Sequence, residues 1–202
     1  PFTLQSNLIK AINKEAEIAK SGKKARIIAK MNALLEYDVI RALYDASNAG
    51  VEIDLLVRGV CALKPGVLGV SENIRVRSVV GRYLEHTRIF YFFNEGEENV
   101  YLSSADWMYR NLFKRIEVCF PILDAKVKKR VIQEGLDVYL KDNVNAWEMM
   151  PDSTYQLAHK RGIQNSAQQA LMQLKLHHSV PWRDTKEKGP VDQTDSRGVL
   201  QL

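Results

Sequence analysis

The chain has 202 residues, of which 46% are hydrophobic and 26% are charged, so it can form one large domain or two small ones with an ordinary core. Its longest clean apolar run, at residues 89–93, is too short to cross a membrane, which takes roughly 20 such residues, and no signal peptide opens the sequence. The 29 basic and 24 acidic residues give a net charge of +5, which favours an anionic partner.

The N-terminal part of the chain predicts a helix followed by a β-α-β unit. Apolar positions recur on one face of residues 4–20, and Gly22 ends this predicted helix. A β-type run follows at residues 25–30, and a second amphipathic helix is predicted over residues 36–49. Apolar residues then alternate over residues 51–57, as they do in a strand. A crossover of this kind favours parallel pairing of the two strands.

The middle of the chain is rich in predicted strands. Four runs are dense in β-branched and aromatic residues: residues 74–80, 88–93, 100–103 and 115–121. Asp124 is the predicted N-cap of a helix that runs to about residue 140, with Val127 among the residues that face inward. Residues 142–164 are polar and are predicted to be irregular. A last, weaker helix is predicted over residues 165–178.

The order of these elements predicts an α/β fold class, with a mixed β-sheet flanked by helices. We expect this domain to span residues 1–182. Residues 183–202 are too polar to fold alone and are predicted to form a disordered tail. Cys61 and Cys119 stand far apart without the spacing of a metal site, which excludes a disulfide framework and favours a reducing cytoplasm.

Arg58 is the first candidate for a functional residue. It stands at the carboxyl end of the strand predicted over residues 51–57, where ligands collect in open α/β sheets. The planar guanidinium group can make paired, charge-assisted hydrogen bonds with a phosphate, and Gly59 lets the backbone approach closely. An arginine at a strand end can equally just reach solvent, so position alone leaves both interpretations open.

His86 and Arg88 are the second candidates, because a His-x-Arg pattern holds an imidazole beside a fixed cation. Such a pair is suited to moving a phosphoryl group: the imidazole can attack or exchange protons, and the guanidinium stabilises the oxygens. A structural or surface role is the alternative for a histidine in this setting.

Ser104 and Asp106 lie in a third candidate segment, which follows a predicted strand and is rich in polar side chains. They can orient phosphate oxygens or support a histidine, but a polar turn with Asp106 as a helix cap fits the same pattern. Lys30, at the end of an earlier predicted strand, can join an anion site. No metal ligands are predicted, because the pair His177 and His178 lacks further ligands nearby.

Several long motifs together resemble one known family. Four stretches carry the resemblance in order: IIAKMNAL at 27–34, IDLLVRGVC at 53–61, SENIRVRSVVGRYLEHTRI at 71–89 and SSADWMYRNL at 103–112. They closely resemble the bacterial polyphosphate kinases, which make polyphosphate from ATP. The resemblance extends from residue 1 to about residue 155, and residues 166–172 are similar to the family's last helix.

The resemblance implies a phospholipase D-like fold, corresponding to the last C-terminal catalytic domain of the kinase. In that family the domain takes part in reversible transfer of the terminal phosphate of ATP to polyphosphate. Arg58 matches the arginine that contacts nucleotide phosphates, and His86 matches the second active-site histidine, which makes it the expected catalytic residue. Lys30, Arg88, Ser104 and Asp106 are expected to bind substrate with them. The phosphorylated histidine belongs to the other C-terminal domain.

The resemblance also implies the partners. ATP, ADP and polyphosphate are the expected ligands, Mg²⁺ is expected to accompany ATP with its ligands outside this chain, and the upstream domains of the same chain are expected to complete the site. No membrane span and no nucleic acid partner are expected. A cytoplasmic location is expected, while attachment to the membrane surface and homo-oligomerisation of the full-length protein stay open.

The sequence departs from the phospholipase D pattern, which has His-x-Lys and an Asp five residues after the Lys. Arg88 replaces that Lys and Phe93 takes the position of the Asp, which argues against phosphodiester hydrolysis and leaves a nucleophilic role of His86 in doubt. Two other classes remain as alternatives: a phospholipase D-like phosphodiesterase and a non-catalytic polyanion-binding module. We expect the chain alone to bind ATP or polyphosphate weakly and to transfer no phosphate, because it lacks the phosphohistidine.

Overall fold

The computed structural model describes residues 3–158 and 162–177. The predicted end of the domain at residue 182 and the predicted tail at residues 183–202 lie outside these residues. Within the described part, no helix combines the length and the apolar character that crossing a bilayer demands.

One mixed β-sheet organises the described residues. Its strands are β1 (Arg26–Met31), β2 (Glu52–Val57), β3 (Ile74–Val79), β4 (Arg88–Phe92), β5 (Asn99–Ser103), β6 (Cys119–Pro121), β7 (Ala146–Met149) and β8 (Tyr155–Leu157). They lie in the order β6-β5-β4-β1-β2-β3-β7-β8. The central strands β1, β2 and β3 are parallel, and every other pair is antiparallel. This architecture confirms the predicted fold class, including the parallel pairing of the first two strands.

Helices cover both faces of the sheet. They are α1 (Leu4–Lys20), α2 (Tyr37–Asn48), α3 (Ala125–Ile132), α4 (Val138–Leu140) and α5 (Ala167–His177). A side-chain cap begins α2, where the Glu36 carboxylate accepts a hydrogen bond of 2.7 Å from the Val39 N–H. Asp124 caps α3 in the same way, as predicted, at 2.8 Å from the Val127 N–H. A π-helical turn at Gln133–Asp137 joins α3 to α4, so the helix predicted to end near residue 140 is confirmed with this irregular turn inside it.

Each face of the sheet has its own apolar core, because side chains alternate along the strands. On one face, α1 and α2 pack through Ile12 and Leu43 onto Ile53 and Phe90. On the other face, the helices from α3 to α5 form a smaller core, with Ile28, Leu56, Ile89, Leu136 and Tyr139 among its members. The second face also carries Lys30 of β1, because its neighbours Ala29 and Met31 belong to the core of the first face.

Three predictions about local structure are wrong. Residues 142–164, predicted to be irregular, contain β7 and β8, which extend the sheet beyond β3. These strands are short and half-exposed, so they lack the apolar alternation that identifies a strand. An ion pair of 2.5 Å between Arg77 and Glu148 helps to hold β7 against β3. The strand predicted over 115–121 is limited to Cys119–Pro121. Val127, predicted to face inward, is 47% exposed.

The topology brings the ends of several strands to one edge of the sheet, the edge at which β1 and β2 end. Because β1 and β2 are parallel, their carboxyl ends coincide, with Met31 beside Val57. Because β4 is antiparallel to β1, its first residue lies at the same edge, and Arg88 pairs in turn with Ser103 at the end of β5. All the sequence-predicted site residues therefore belong to segments that begin or end at this edge.

Candidate active site

Arg58 follows β2 and has a fixed backbone. Its N–H donates to the Met31 carbonyl at 3.2 Å, and its carbonyl accepts from the Ser78 hydroxyl at 2.9 Å, so it is held between the ends of β1 and β3. The next residue, Gly59, packs against Asn32, and a Cβ at position 59 would lie 2.8 Å from the Asn32 carbonyl oxygen. A glycine is therefore required at position 59 because the backbone there lies close to Asn32, at the end of β1.

Arg88 and Asp106 form a largely buried ion pair at this edge. The Arg88 guanidinium binds the Asp106 carboxylate with two bonds, from Nε at 3.1 Å and from Nη2 at 2.9 Å. Asp106 Oδ1 also accepts from the backbone N–H groups of Asn32, at 2.7 Å, and Ala33, at 3.3 Å. Asp106 thus ties the segment after β5 to the end of β1 and the start of β4, and its charge is neutralised by Arg88.

Asn32, which the sequence analysis did not single out, connects this ion pair to His86. Of the two orientations of its amide, one gives both ends a hydrogen-bond partner. In it the nitrogen donates to the Glu85 carbonyl at 3.0 Å and the oxygen accepts from Arg88 Nη2 at 3.1 Å. In that orientation the amide oxygen also lies 3.4 Å from His86 Nδ1. An acceptor facing Nδ1 favours the tautomer with its hydrogen on Nδ1, which leaves the lone pair of Nε2 available. Its position directly after β1, at the edge where ligands collect, is the signal that could have identified Asn32.

Lys30 forms a buried ion pair with Glu85, the residue before His86. The two side chains are 10% and 17% exposed, and Lys30 Nζ lies 2.7 Å from Glu85 Oε2 and 3.2 Å from the centre of the Tyr139 ring. Burial lowers the pKa of Lys30, and the bond to Glu85 offsets this only in part. For Glu85, burial opposes ionisation, but hydrogen bonds from Lys30, Tyr139 and Gln168 outweigh it and lower the pKa. Lys30 is therefore already paired with a carboxylate of its own chain.

A small cleft joins these groups, because Lys30, Asn32, Arg58, Glu85 and Tyr139 all line it. Its volume of about 20 Å³ is enough for a water molecule and too small for a phosphate group. An anion that reaches Arg58 therefore has to bind at the mouth of the cleft, which Glu85 and Thr87, the two neighbours of the exposed His86, also line.

Ser104 lies at the same edge but is bound to a carboxylate that the sequence analysis did not name. Its hydroxyl donates to Glu117 and accepts from the Val118 N–H at 3.0 Å. The Glu117 side chain is only 4% exposed and also accepts from Asn111 Nδ2 at 2.7 Å. The structure thus shows Ser104 as part of a hydrogen-bonded turn that supports the segment leading to Asp106.

The three cations of this edge differ in their partners. Arg88 is paired with Asp106 and Lys30 with Glu85, whereas no carboxylate in the described part of the chain pairs with the Arg58 side chain. Among these three, Arg58 is consequently the one whose hydrogen-bonding capacity is open to an anion from outside. His86 belongs to the loop that borders the same cleft through Glu85 and Thr87.

The carboxylates near the cleft do not form a magnesium site of their own. Among the described residues, no three side chains of His, Cys, Asp or Glu gather closely enough to hold a metal ion. Asp106 and Glu85 are engaged by Arg88 and Lys30, so their oxygens are not open for Mg²⁺, which takes oxygen ligands. No chemical step is therefore assigned to a metal held by these residues.

Fold and site together define an α/β domain with a charged edge, formed by strand ends of a mixed sheet. The model of the family described as polyphosphate kinase C-terminal domain 2 matches residues 1–169. The polyphosphate kinase of Burkholderia multivorans is 64% identical over 155 residues, which is 77% of this chain and 23% of that protein. The enzyme of Paraburkholderia phytofirmans is 59% identical over 172 residues, or 85% of this chain and 25% of that protein. The chain therefore belongs to the polyphosphate kinase family, as its C-terminal domain 2.

A solved structure agrees with this assignment. The crystal structure of polyphosphate kinase from Porphyromonas gingivalis superimposes with a TM-score of 0.84 and 40% sequence identity, over 88% of this chain and 27% of that chain. The resemblance predicted from the four motifs is thus confirmed. The chain spans about a quarter of the length of the relatives it matches.

Proposed function

We propose that this domain supplies one wall of the active site of a polyphosphate kinase that transfers the terminal phosphate of ATP reversibly to polyphosphate. The observation that supports this most directly is the contrast among the three cations at the sheet edge. Lys30 and Arg88 are neutralised by carboxylates of the domain, while Arg58 keeps its guanidinium for an external anion. A planar guanidinium is suited to paired hydrogen bonds with the oxygens of a phosphate.

In this proposal Arg58 clamps phosphate oxygens of the nucleotide at the mouth of the cleft. His86, with Nδ1 facing the Asn32 oxygen, offers Nε2 as a proton acceptor, or in its protonated form as a donor, to a phosphate in transfer. Arg88 and Asp106 hold the backbone around His86, since Arg88 Nη1 donates to the His86 carbonyl at 2.7 Å. Lys30 and Ser104 act in the same supporting way through Glu85 and Glu117.

The remaining substrates and conditions follow from the same proposal. The phosphorylated histidine lies in the other C-terminal domain, so the upstream part of the kinase completes the site. Bound with the phosphates of ATP, Mg²⁺ would neutralise part of their charge, and its protein ligands would lie outside this domain, because Glu85 and Asp106 are engaged. The reaction takes place in the cytoplasm, where ATP is available.

The alternatives have weaker support. A phospholipase D-like phosphodiesterase would need the Lys and Asp of that pattern, where this chain has Arg88 and Phe93. Arg88 is also held by two bonds to Asp106. A non-catalytic polyanion-binding module would not need a histidine beside the cleft, in contact with the Asn32 amide.

The substitution Arg58→Ala in a full-length polyphosphate kinase that contains this domain tests the proposal. Loss of an arginine that stabilises a transferring phosphoryl group lowers the rate by about 10³–10⁵. Arg58→Lys should give an intermediate rate, because it keeps the charge and loses the planar fork. Arg41→Ala, at an exposed arginine of α2, is the matched control. A near-normal rate of ATP-dependent polyphosphate synthesis by Arg58→Ala would refute the proposed role.

A further inference from the structure

The loop that carries Glu85 and His86 is held by a helix from a distant part of the chain. Gln168 of α5, which is 7% exposed, contacts this loop through both ends of its amide. Its Oε1 accepts from the Tyr83 N–H at 2.9 Å, and its Nε2 donates to the Tyr83 carbonyl at 2.8 Å. One side-chain amide thus binds both backbone groups of a loop residue, as a neighbouring strand would.

The same amide reaches the residue before His86. Gln168 Nε2 donates to Glu85 Oε1 at 2.7 Å, while Lys30 binds the other oxygen of that carboxylate at 2.7 Å. Tyr139, at the end of the α3–α4 helix, adds a third hydrogen bond to Glu85. Side chains from β1, α4 and α5 therefore converge on Glu85, and the position of His86 follows from that of its neighbour.

Gly81 shows that the loop is fitted to Gln168. A Cβ at position 81 would lie 2.7 Å from Gln168 Cδ and closer still to Oε1, a separation that real Cβ atoms do not show. Gly81 does not have a positive φ, so the absence of a side chain serves the close approach of Gln168 and not a special backbone conformation. An alanine at position 81 can be accommodated only if the amide moves away.

We propose that Gln168 is a positioning residue for His86. It fixes the loop through Tyr83 and Glu85, so that Nδ1 of the imidazole stays against the Asn32 amide. The effect on catalysis rests on the proposed function, whereas the effect on the loop does not. Gln169 offers a matched control, because it is the same residue type one position along α5 and is exposed.

The positioning role can be measured on this 202-residue chain without nucleotide. We expect Gln168→Ala to speed hydrogen exchange of the Tyr83 amide by about tenfold, the loss that one intramolecular hydrogen bond can cause. We expect ¹⁵N NMR of the His86 ring to change from one tautomer to a mixture of two. Gly81→Ala should produce the same two changes, and Gln169→Ala neither. The double variant should exchange no faster than Gln168→Ala alone, because both changes break the same contact.

Kinetics in the full-length kinase give the second readout. Gln168→Ala should lower kcat by about 10²-fold or less with little change in KM, as misplacement of a reacting group does. Gln168→Glu should not restore kcat, because it brings a second carboxylate to Glu85. The positioning role would be overturned if Gln168→Ala showed the same Tyr83 exchange rate and the same His86 tautomer as Gln169→Ala. If Gln168→Ala does not fold, the same comparison is made with Gly81→Ala. That result would leave the proposed function intact, which the Arg58→Ala rate decides separately.

Discussion

Three cations reach the edge where β1 and β2 end, and their partners determine what each can do. Residue type and position were enough to predict Arg58, Lys30 and Arg88 as candidates, because a basic residue near the end of a strand is visible in the sequence. The pairing was not predictable, because the carboxylates come from segments 18 and 55 positions away. Only the register of the sheet brings Asp106 to Arg88 and Glu85 to Lys30.

Asn32 and Glu117 were missed for a related reason. Each is an ordinary polar residue in the sequence, and each acquires its role from a side chain that belongs to another segment, His86 for Asn32 and Ser104 for Glu117. The functional roles of these two residues are proposals, and those of all six residues named from the sequence stay predictions: Lys30, Arg58, His86, Arg88, Ser104 and Asp106.

We expect Asp106→Asn to destabilise the chain by roughly 2–4 kcal/mol, because it leaves the buried Arg88 without its counter-charge. The amide can still accept from the Asn32 N–H, so the loss reports on the ion pair. Urea unfolding of this chain measures the effect, with Asp45→Asn at an exposed position of α2 as the control. Equal stability of the two variants would contradict the importance of the pair.

Cys61 should react slowly with alkylating reagents. Burial raises the pKa of its thiol to about 11, so little thiolate is present at pH 8. Burial also raises the pKa of Cys119. We expect iodoacetamide at pH 8 to modify Cys61 about 10²-fold more slowly in the folded chain than in urea, measured by mass spectrometry. Equal rates in the two states would show that the folded thiol is not protected.

At the scale of elements, the strongly patterned segments were predicted well and the irregular ones were not. The helix at Leu4–Lys20 has the predicted ends, because its apolar face is continuous and Gly22 follows it with a positive φ. By contrast, the π-helical turn at Gln133–Asp137 leaves no pattern in the sequence, since it arises from the fit of the helix against the sheet. Strands β7 and β8 were missed because their own composition does not identify them. They become strands by pairing, β7 with β3 and β8 with β7.

The π-helical turn gives a prediction at Gly135. A Cβ at this position would overlap Ile89 Cδ1, so Gly135→Ala should destabilise the chain by about 1–3 kcal/mol even though alanine normally favours helix. Ile89→Val removes the Cδ1 atom and should reduce the cost of Gly135→Ala. Urea unfolding of the two single variants and the double variant measures this coupling. If the cost of Gly135→Ala is the same in both backgrounds, the contact with Ile89 is not its cause.

At the scale of the whole molecule, the predicted α/β class and the family are confirmed. The chain has a net charge of +5 and spans about a quarter of the length of the relatives it matches. Under the proposed function it therefore presents part of a site to water. Charges that face water contribute little to binding compared with those in a closed site.

We therefore expect this chain to bind ATP weakly, with an affinity that falls as salt rises, because screening lengths are about 8 Å at physiological ionic strength. Titration with ATP at low and high salt measures this, and Arg58→Ala should remove most of the salt-sensitive part. Incubation with labelled ATP and Mg²⁺ should give no acid-labile label on the protein. Labelling of His86 would mean that the nucleophile lies in this domain.

The contact between Gln168 and Tyr83 also has a consequence for the order of folding. The two residues are 85 positions apart, so the bond closes late and contributes to a high contact order. During synthesis the central strands can pair as soon as residue 79 has left the ribosome, whereas the loop with His86 gains this support only after residue 168 has been added. We therefore expect the loop with His86 to become ordered later than the central strands β1, β2 and β3 that precede it.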